Sequence, residues 1–307
     1  MNKKIQVYIT IVISLLYAVT APILYPTLDL LWLLIALLIV LSLLAKNWVD
    51  SLLLIILAGN LALHQVMYPK LDDTRHIVQT TAFVAFTFLQ ITLIIGPLTR
   101  INKKFSPLFR HRRHVGVATF LLAFIHANFV IAKYYEYDPE LIYSVNANYF
   151  GTTTLIILSA LALTSTNYFQ TRLQTKYYNL IHTGLLIFYI IYTLGMNALG
   201  ILKLKTLHFV IFGFFVIFWL LLAPWSLPKK LFLRVNAWKQ LHYLVYLAYI
   251  SVIFHAWTGY FVLQDAPMQT TFWVTIFAVV SIHAYGWLLR FRKRNIQNEQ
   301  SVPTDSQ

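Results

Sequence analysis

Ten histidines and no cysteine leave imidazole as the main metal-binding side chain in this sequence. Neutral imidazole is a common ligand of transition metals and of haem iron. The lack of cysteine excludes disulfides, thiolate-held iron–sulfur clusters and covalent haem attachment through C-x-x-C-H. The stretch 238–255, WKQLHYLVYLAYISVIFH, concentrates this chemistry: it opens on a basic, Trp-bearing turn and continues as an apolar run containing His242 and His255. An ionisable side chain at membrane depth is costly, so it marks function by default. The separation of His242 and His255 by thirteen positions is a rise of ~19.5 Å on a helix at ~1.5 Å each. One imidazole then falls in each leaflet, which suits two stacked haem irons. The same spacing leaves the two rings ~140° apart around an ideal helix. Either the helix is distorted between them or the rings serve different neighbours.

The elements that position these residues are membrane helices. The chain of 307 residues is 59% apolar and 11% charged, against about 25% charged in ordinary soluble domains. Repeated apolar runs near ~20 residues predict an all-α, polytopic transmembrane bundle. We count about ten helices, at 5–25, 28–45, 48–66, 77–97, 115–135, 149–169, 177–199, 205–223, 238–262 and 269–289. Turns fall at Tyr25–Pro26, Lys46–Asn47, Pro69–Lys70 and 224–230, where Pro, Asn and basic residues interrupt the pattern. The first run lacks an A-x-A-like site and has Pro22 after Ala21, so it reads as an uncleaved helix. The chain divides into three N-terminal helices (1–76), a core (77–223), a last pair carrying His242 and His255 (224–290) and a polar tail (291–307), all within one integral membrane domain.

Net charge is +14, but the basic residues sit in short loops beside apolar runs, which argues for topology and against nucleic acid. With both termini in the cytoplasm, only Lys70, Arg75, Lys133, Lys203 and Lys205 of the 24 Lys and Arg residues fall outside. That bias satisfies the positive-inside rule. Depth follows from it. His126 and His255 lie toward the outer side. His182, His242 and His283 lie toward the inner side, with His114 at the inner mouth of the 115–135 helix. His64 and His208 fall near the outer surface, while His76 and His111 fall in loops reachable by water. These last four read as satisfied or solvated side chains rather than ligands. Gly116, Gly151, Gly184 and Gly195 can admit a close helix or a cofactor face, close helix packing being the commoner reason for small residues.

Five stretches carry a family likeness: GPLTR at 96–100, RRHVGVATFLLAFIH at 112–126, LALTS at 161–165, YYNLIH at 177–182 and WKQLHYLVYLAYISVIFH at 238–255. With their order and spacing, residues from about 90 to 200 resemble the ferric reductase-like transmembrane family. That family includes the haem-binding membrane subunit of the bacterial periplasmic methionine sulfoxide reductase system and the membrane part of NADPH oxidases. The resemblance implies b-type haem, held by paired histidines between helices, carrying electrons across the membrane. The sequence departs from the pattern in places. Gly195 stands where a second histidine after His182 is expected, Arg112 replaces the early histidine of the His126 helix, and the paired histidines come two helices later. An insertion or partial duplication accounts for that displacement. No G-x-G-x-x-G fingerprint is present, so the expectation is a membrane part without the flavin and nicotinamide domain of the oxidases.

The resulting expectation is a haem b protein of the bacterial inner (plasma) membrane, with one or two haems. His126 and His255 hold the outer iron; His182 and His242 hold the inner one, with His114 or His283 as substitutes. Arg112 and Arg113 are candidate donors to haem propionates, or simply topology markers. Electrons come from a quinol or from a flavoprotein reductase supplied in trans, and leave to ferric iron, oxygen or a periplasmic redox partner. No catalytic residue is assigned. The chain is either a ferric reductase-like oxidoreductase or the electron-transfer subunit and membrane anchor of one. A haem-free transporter or proton channel with a histidine relay is the rival, weakened by the scarcity of Asp and Glu in the apolar runs.

Overall fold

The computed structural model describes residues 30–45, 47–165, 175–201, 206–222, 237–259 and 266–300. Among these residues every regular element is helical. We number the main helices α1 (Leu30–Leu44), α2 (Trp48–Met67), α3 (Asp73–Ile101), α4 (Arg112–Tyr135), α5 (Asn146–Thr164), α6 (Thr175–Ala198), α7 (Thr206–Leu222), α8 (Leu244–Thr258) and α9 (Ala266–Gln300). Short helical segments at Ser106–Phe109, Pro139–Ser144 and Ala237–His242 precede α4, α5 and α8 respectively. Seven helices are long and apolar enough to cross a membrane, so the protein is an integral membrane helix bundle. Among the described residues, fewer than the expected ten or so are long enough to cross. Two further apolar helices, Leu34–Leu44 and Phe209–Leu221, are shorter, and the expected helix at 5–25 lies outside the described residues.

Two boundaries differ from the sequence reading. α3 starts at Asp73, because Asp72 caps it by accepting the Arg75 amide at 3.0 Å, the usual service of an Asp at a helix start. α9 continues to Gln300, well past the expected end at 289. The run RFRKRNIQNEQ at 290–300 contains mostly good helix formers and no Gly or Pro.

The interior falls into two packed groups. One joins α1 to α4 around Leu61, Ile77, Phe88 and Phe129. The other joins α5 to α8 around Phe150, Tyr189, Phe215, Leu244 and Leu247, and takes Leu89 and Leu93 of α3. The most extensive helix contacts are α3 on α4 and α5 on α8. Hydroxyls inside the bundle mostly bond the carbonyl one turn back, as Thr81, Thr119, Thr153 and Thr193 do. This satisfies them where no water is available. Gln90 of α3 reaches Thr275 of α9 at 2.9 Å, tying the last helix to the core.

α5 and α8 approach closely for a reason visible in their residues. Ala147, Gly151 and Thr154 on α5 face Ala248, Ser251 and His255 on α8, both sets at helical spacing. Ser251 Oγ donates to the Phe150 carbonyl at 2.9 Å and Thr154 Oγ1 to the Ala248 carbonyl at 3.3 Å. Small residues let two membrane helices touch along their backbones, and polar contacts then hold the register.

Candidate functional site

His126 on α4 belongs to the first packed group and His255 on α8 to the second, and the fold brings them together. Their ring centroids lie 6.2 Å apart with the planes at 76°. Each ring is tethered to a third helix. His126 Nδ1 donates to the Val78 carbonyl of α3 at 3.0 Å. His255 Nδ1 donates to the Ala147 carbonyl of α5 at 2.7 Å. A carbonyl can only accept, so both rings carry their proton on Nδ1 and leave Nε2 as the available donor of a lone pair. This second hydrogen bond is the usual way a metal-ligating imidazole is oriented and made more basic.

Gly151 completes the cradle. A Cβ built there would lie 2.9 Å from His255 Nδ1 and 3.0 Å from its Cε1. Only a residue without a side chain leaves the ring in place. The other three glycines singled out in the sequence do less: Gly116 would meet Thr92 at 3.7 Å, and Gly184 and Gly195 face open space. Phe254 stacks on Phe150 at 5.4 Å beside the pair, and Phe129 is buried one turn from His126.

The inner histidines are arranged differently. His182 is buried and meets Trp219 of α7 edge to face, with centroids 6.2 Å apart. His242 donates from Nδ1 to the Trp238 carbonyl at 2.8 Å, packs against the Trp238 ring with centroids 4.2 Å apart and planes tilted by 36°, and has Nε2 3.0 Å from Ser165 Oγ. Among the described residues no ring contact joins His182 to His242. His283 bonds the Val279 carbonyl at 2.9 Å and reaches the Tyr246 hydroxyl at 3.5 Å. His114 faces Asp50 at 3.0 Å. The question of the thirteen-residue spacing is answered in both ways. The helix tightens locally at Tyr243, whose amide is shared between the Lys239 and Gln240 carbonyls at 3.1 Å, and His242 and His255 serve different neighbours.

Arg112 donates from Nε to the Thr92 carbonyl at 2.9 Å, with Arg100, Tyr243 and Tyr246 within electrostatic reach. Among the described residues no carboxylate pairs with it. Arg113 reaches the Ser165 carbonyl at 3.3 Å. Arg112 lies fourteen residues before His126 on α4, a rise of ~21 Å. Both arginines therefore sit at the level of the inner histidines and not of the outer pair.

The sequence reading missed one group. It placed His76 in a water-reachable loop and left His64 at the surface. Instead His76 sits in the first turn of α3 with 0% of its surface exposed, and His64 in the last turn of α2 with 7%. Their Nδ1 atoms are 2.6 Å apart. The overlooked signal was Asp72–Asp73–Thr74–Arg75, a helix-start pattern that draws His76 inside. His111, by contrast, does lie in a turn, against Trp48 with centroids 5.2 Å apart. The side chain of His208 lies outside the described residues.

The donor set of the outer pair fits haem iron. With an iron–imidazole bond of about 2 Å, as for other first-row ions, and about 1 Å from nitrogen to ring centre, two axial imidazoles have centres about 6 Å apart. His126 and His255 have that separation already. Residues 81–193 match the family described as "Ferric reductase like transmembrane component". This segment, from the third turn of α3 into α6, is similar to a ferric reductase-like transmembrane domain. It contains His126 and His182, while His255 and His242 lie beyond it. No curated protein and no solved structure matches the chain.

Proposed function

We propose that this protein is a haem b electron carrier of the bacterial inner membrane, with the iron held between His126 and His255 in the outer half of the bundle. The observation that carries the reading is the interhelix tether of both rings, each with Nδ1 on a carbonyl and Nε2 left to ligate. Bound haem supplies a one-electron couple, and the protein sets its ligands, dielectric and access. The Val78 and Ala147 carbonyls fix the two imidazoles and strengthen Nε2 as a donor. Gly151 keeps α5 against the His255 ring, and Phe150, Phe254 and Phe129 exclude water around it.

Electrons enter from a quinol or a separate flavoprotein and leave at the outer face to ferric iron, oxygen or a redox partner. His182 and His242 are the candidate ligands of a second, inner haem, with Arg112 placed to receive its propionate. The family match over α3 to α6 supports electron transfer rather than transport. Purified, dithionite-reduced protein should show a b-type spectrum, and its haem should extract into acidic acetone because no thiol binds it. Folded protein that stays colourless when haem is supplied contradicts the proposal.

A further inference from the structure

The buried pair His64–His76 lies outside the ferric reductase-like segment and has no part in the proposed haem site. α2 ends at Met67, the chain turns over Tyr68 to Asp72, with the Leu71 amide on the Tyr68 carbonyl at 3.1 Å, and α3 sets off again from Asp73. This tight return, at the end of the bundle that the charge bias places outside, faces the two imidazoles at each other. Their rings are nearly perpendicular, at 84°, with centroids 4.9 Å apart. The Nε2 atoms of both are buried without a well-aligned hydrogen bond, although the Leu71 backbone lies beside His76 and the Gln79 side chain beside His64.

Hydrogen bonding alone accounts poorly for the pair. Two neutral rings share one proton between their Nδ1 atoms, which leaves an Nε2–H of one and an Nε2 lone pair of the other buried without a well-aligned partner. Burying such groups is unfavourable, and two apolar side chains would pack the same turn without that cost. Two convergent imidazole nitrogens are, in contrast, a ligand set for late first-row metals. With bonds of about 2 Å, an ion between them needs nitrogens about 3 to 4 Å apart, so the rings open by roughly an ångström from the 2.6 Å contact.

The surroundings favour a cation. The carboxylates of Asp72 and Asp73 lie within electrostatic reach of His76. Arg75, one residue before His76, is turned to Asp72 at 3.4 Å. Gln79 stands beside His64, and the Tyr68 ring covers it with centroids 4.9 Å apart. The number of ligands narrows the ion. Among the described residues no group of three or more His, Cys, Asp or Glu side chains converges. Zinc in a protein site takes four ligands. A monovalent d10 ion is satisfied by two nitrogens and carries less charge into a buried site. We propose that His64 and His76 bind one cuprous ion at the outer end of α2 and α3.

The test uses the full chain in detergent, anaerobic and reduced with ascorbate, competing for Cu+ against bicinchoninate. The wild type should withdraw one Cu+ per chain. His64→Ala and His76→Ala should each weaken retention about tenfold or more, while His111→Ala, at the opposite end of the bundle, retains it. His64→Phe and His76→Phe keep the ring volume and should show the same loss if the alanine variants fold poorly. X-ray absorption should report two nitrogen ligands. Haem content measured on the same samples should not change, which separates this site from the haem proposal. The inference is overturned if the wild type takes no Cu+ from the competitor, if the four variants retain it, or if only Zn2+ is held.

Discussion

The outer and inner halves of the bundle treat their histidines in opposite ways. His126 and His255 each donate from Nδ1 to a carbonyl on another helix. His242 and His283 each turn back to the carbonyl four residues earlier on their own helix. A bond across helices fixes a ring relative to its neighbours and so fixes the geometry of a pair. A bond within one helix leaves the ring satisfied alone, as His242 is by Trp238 and Ser165. At His126 and His255 matched depth is joined by such a tether; at His182 and His242, the candidate inner ligands, depth is matched without ring contact.

The largest test of this contrast is ligand removal. His126→Ala and His255→Ala should each weaken haem retention about tenfold or more, by haem count per protein, and to the same extent. Unequal losses would mean that the rings do not share an ion.

A smaller effect should follow from filling the cradle without touching a ligand. Gly151→Ala places a methyl 2.9 Å from His255 Nδ1. Overpacking of this kind costs about 1 to 3 kcal/mol. Thermal unfolding in detergent should fall, with a changed haem spectrum, while Gly184→Ala, facing open space, leaves both unaltered. Equal behaviour of the two variants would remove Gly151 from the account.

Loosening the α5–α8 seam should matter less still. Ser251→Ala removes one interhelix hydrogen bond, worth about 0.6 kcal/mol in a membrane protein. A slight loss of thermal stability with the haem spectrum intact is expected, and a colourless variant would show that the seam holds more than this one bond suggests. The smallest change to the outer haem should come from His242→Ala. The outer signal should persist in full, whatever happens to an inner haem; its loss would break the separation between the two halves.

Much of this architecture was legible in the sequence because membrane helices announce themselves by apolar length. Runs such as LLWLLIALLIVLSLL at 30–44 need no tertiary information. The outer pair was legible too, since the placement of Lys and Arg fixed the direction of each helix and hence the depth of His126 and His255. What depth could not supply was contact. The sequence placed His182 with His242 at equal depth; in the structure Trp219 packs on the first, and Trp238 and Ser165 on the second. The His64–His76 pair was hidden for another reason. Its members come together through a tight turn, and starting α3 four residues late moved His76 from the interior into solvent. The local tightening at Tyr243 was foreseeable only as a conflict, because an ideal helix cannot aim residues 242 and 255 the same way.

The central claim, that His126 and His255 ligate one iron, is tested most directly by the spin state of the ferric protein. Two axial imidazoles should give a six-coordinate, low-spin signal in the wild type by electron paramagnetic resonance. Both His126→Ala and His255→Ala, reconstituted with haem, should convert that signal to high spin, and added imidazole should restore it in each. A His255→Ala protein with the wild-type low-spin signal and full haem content would contradict the account.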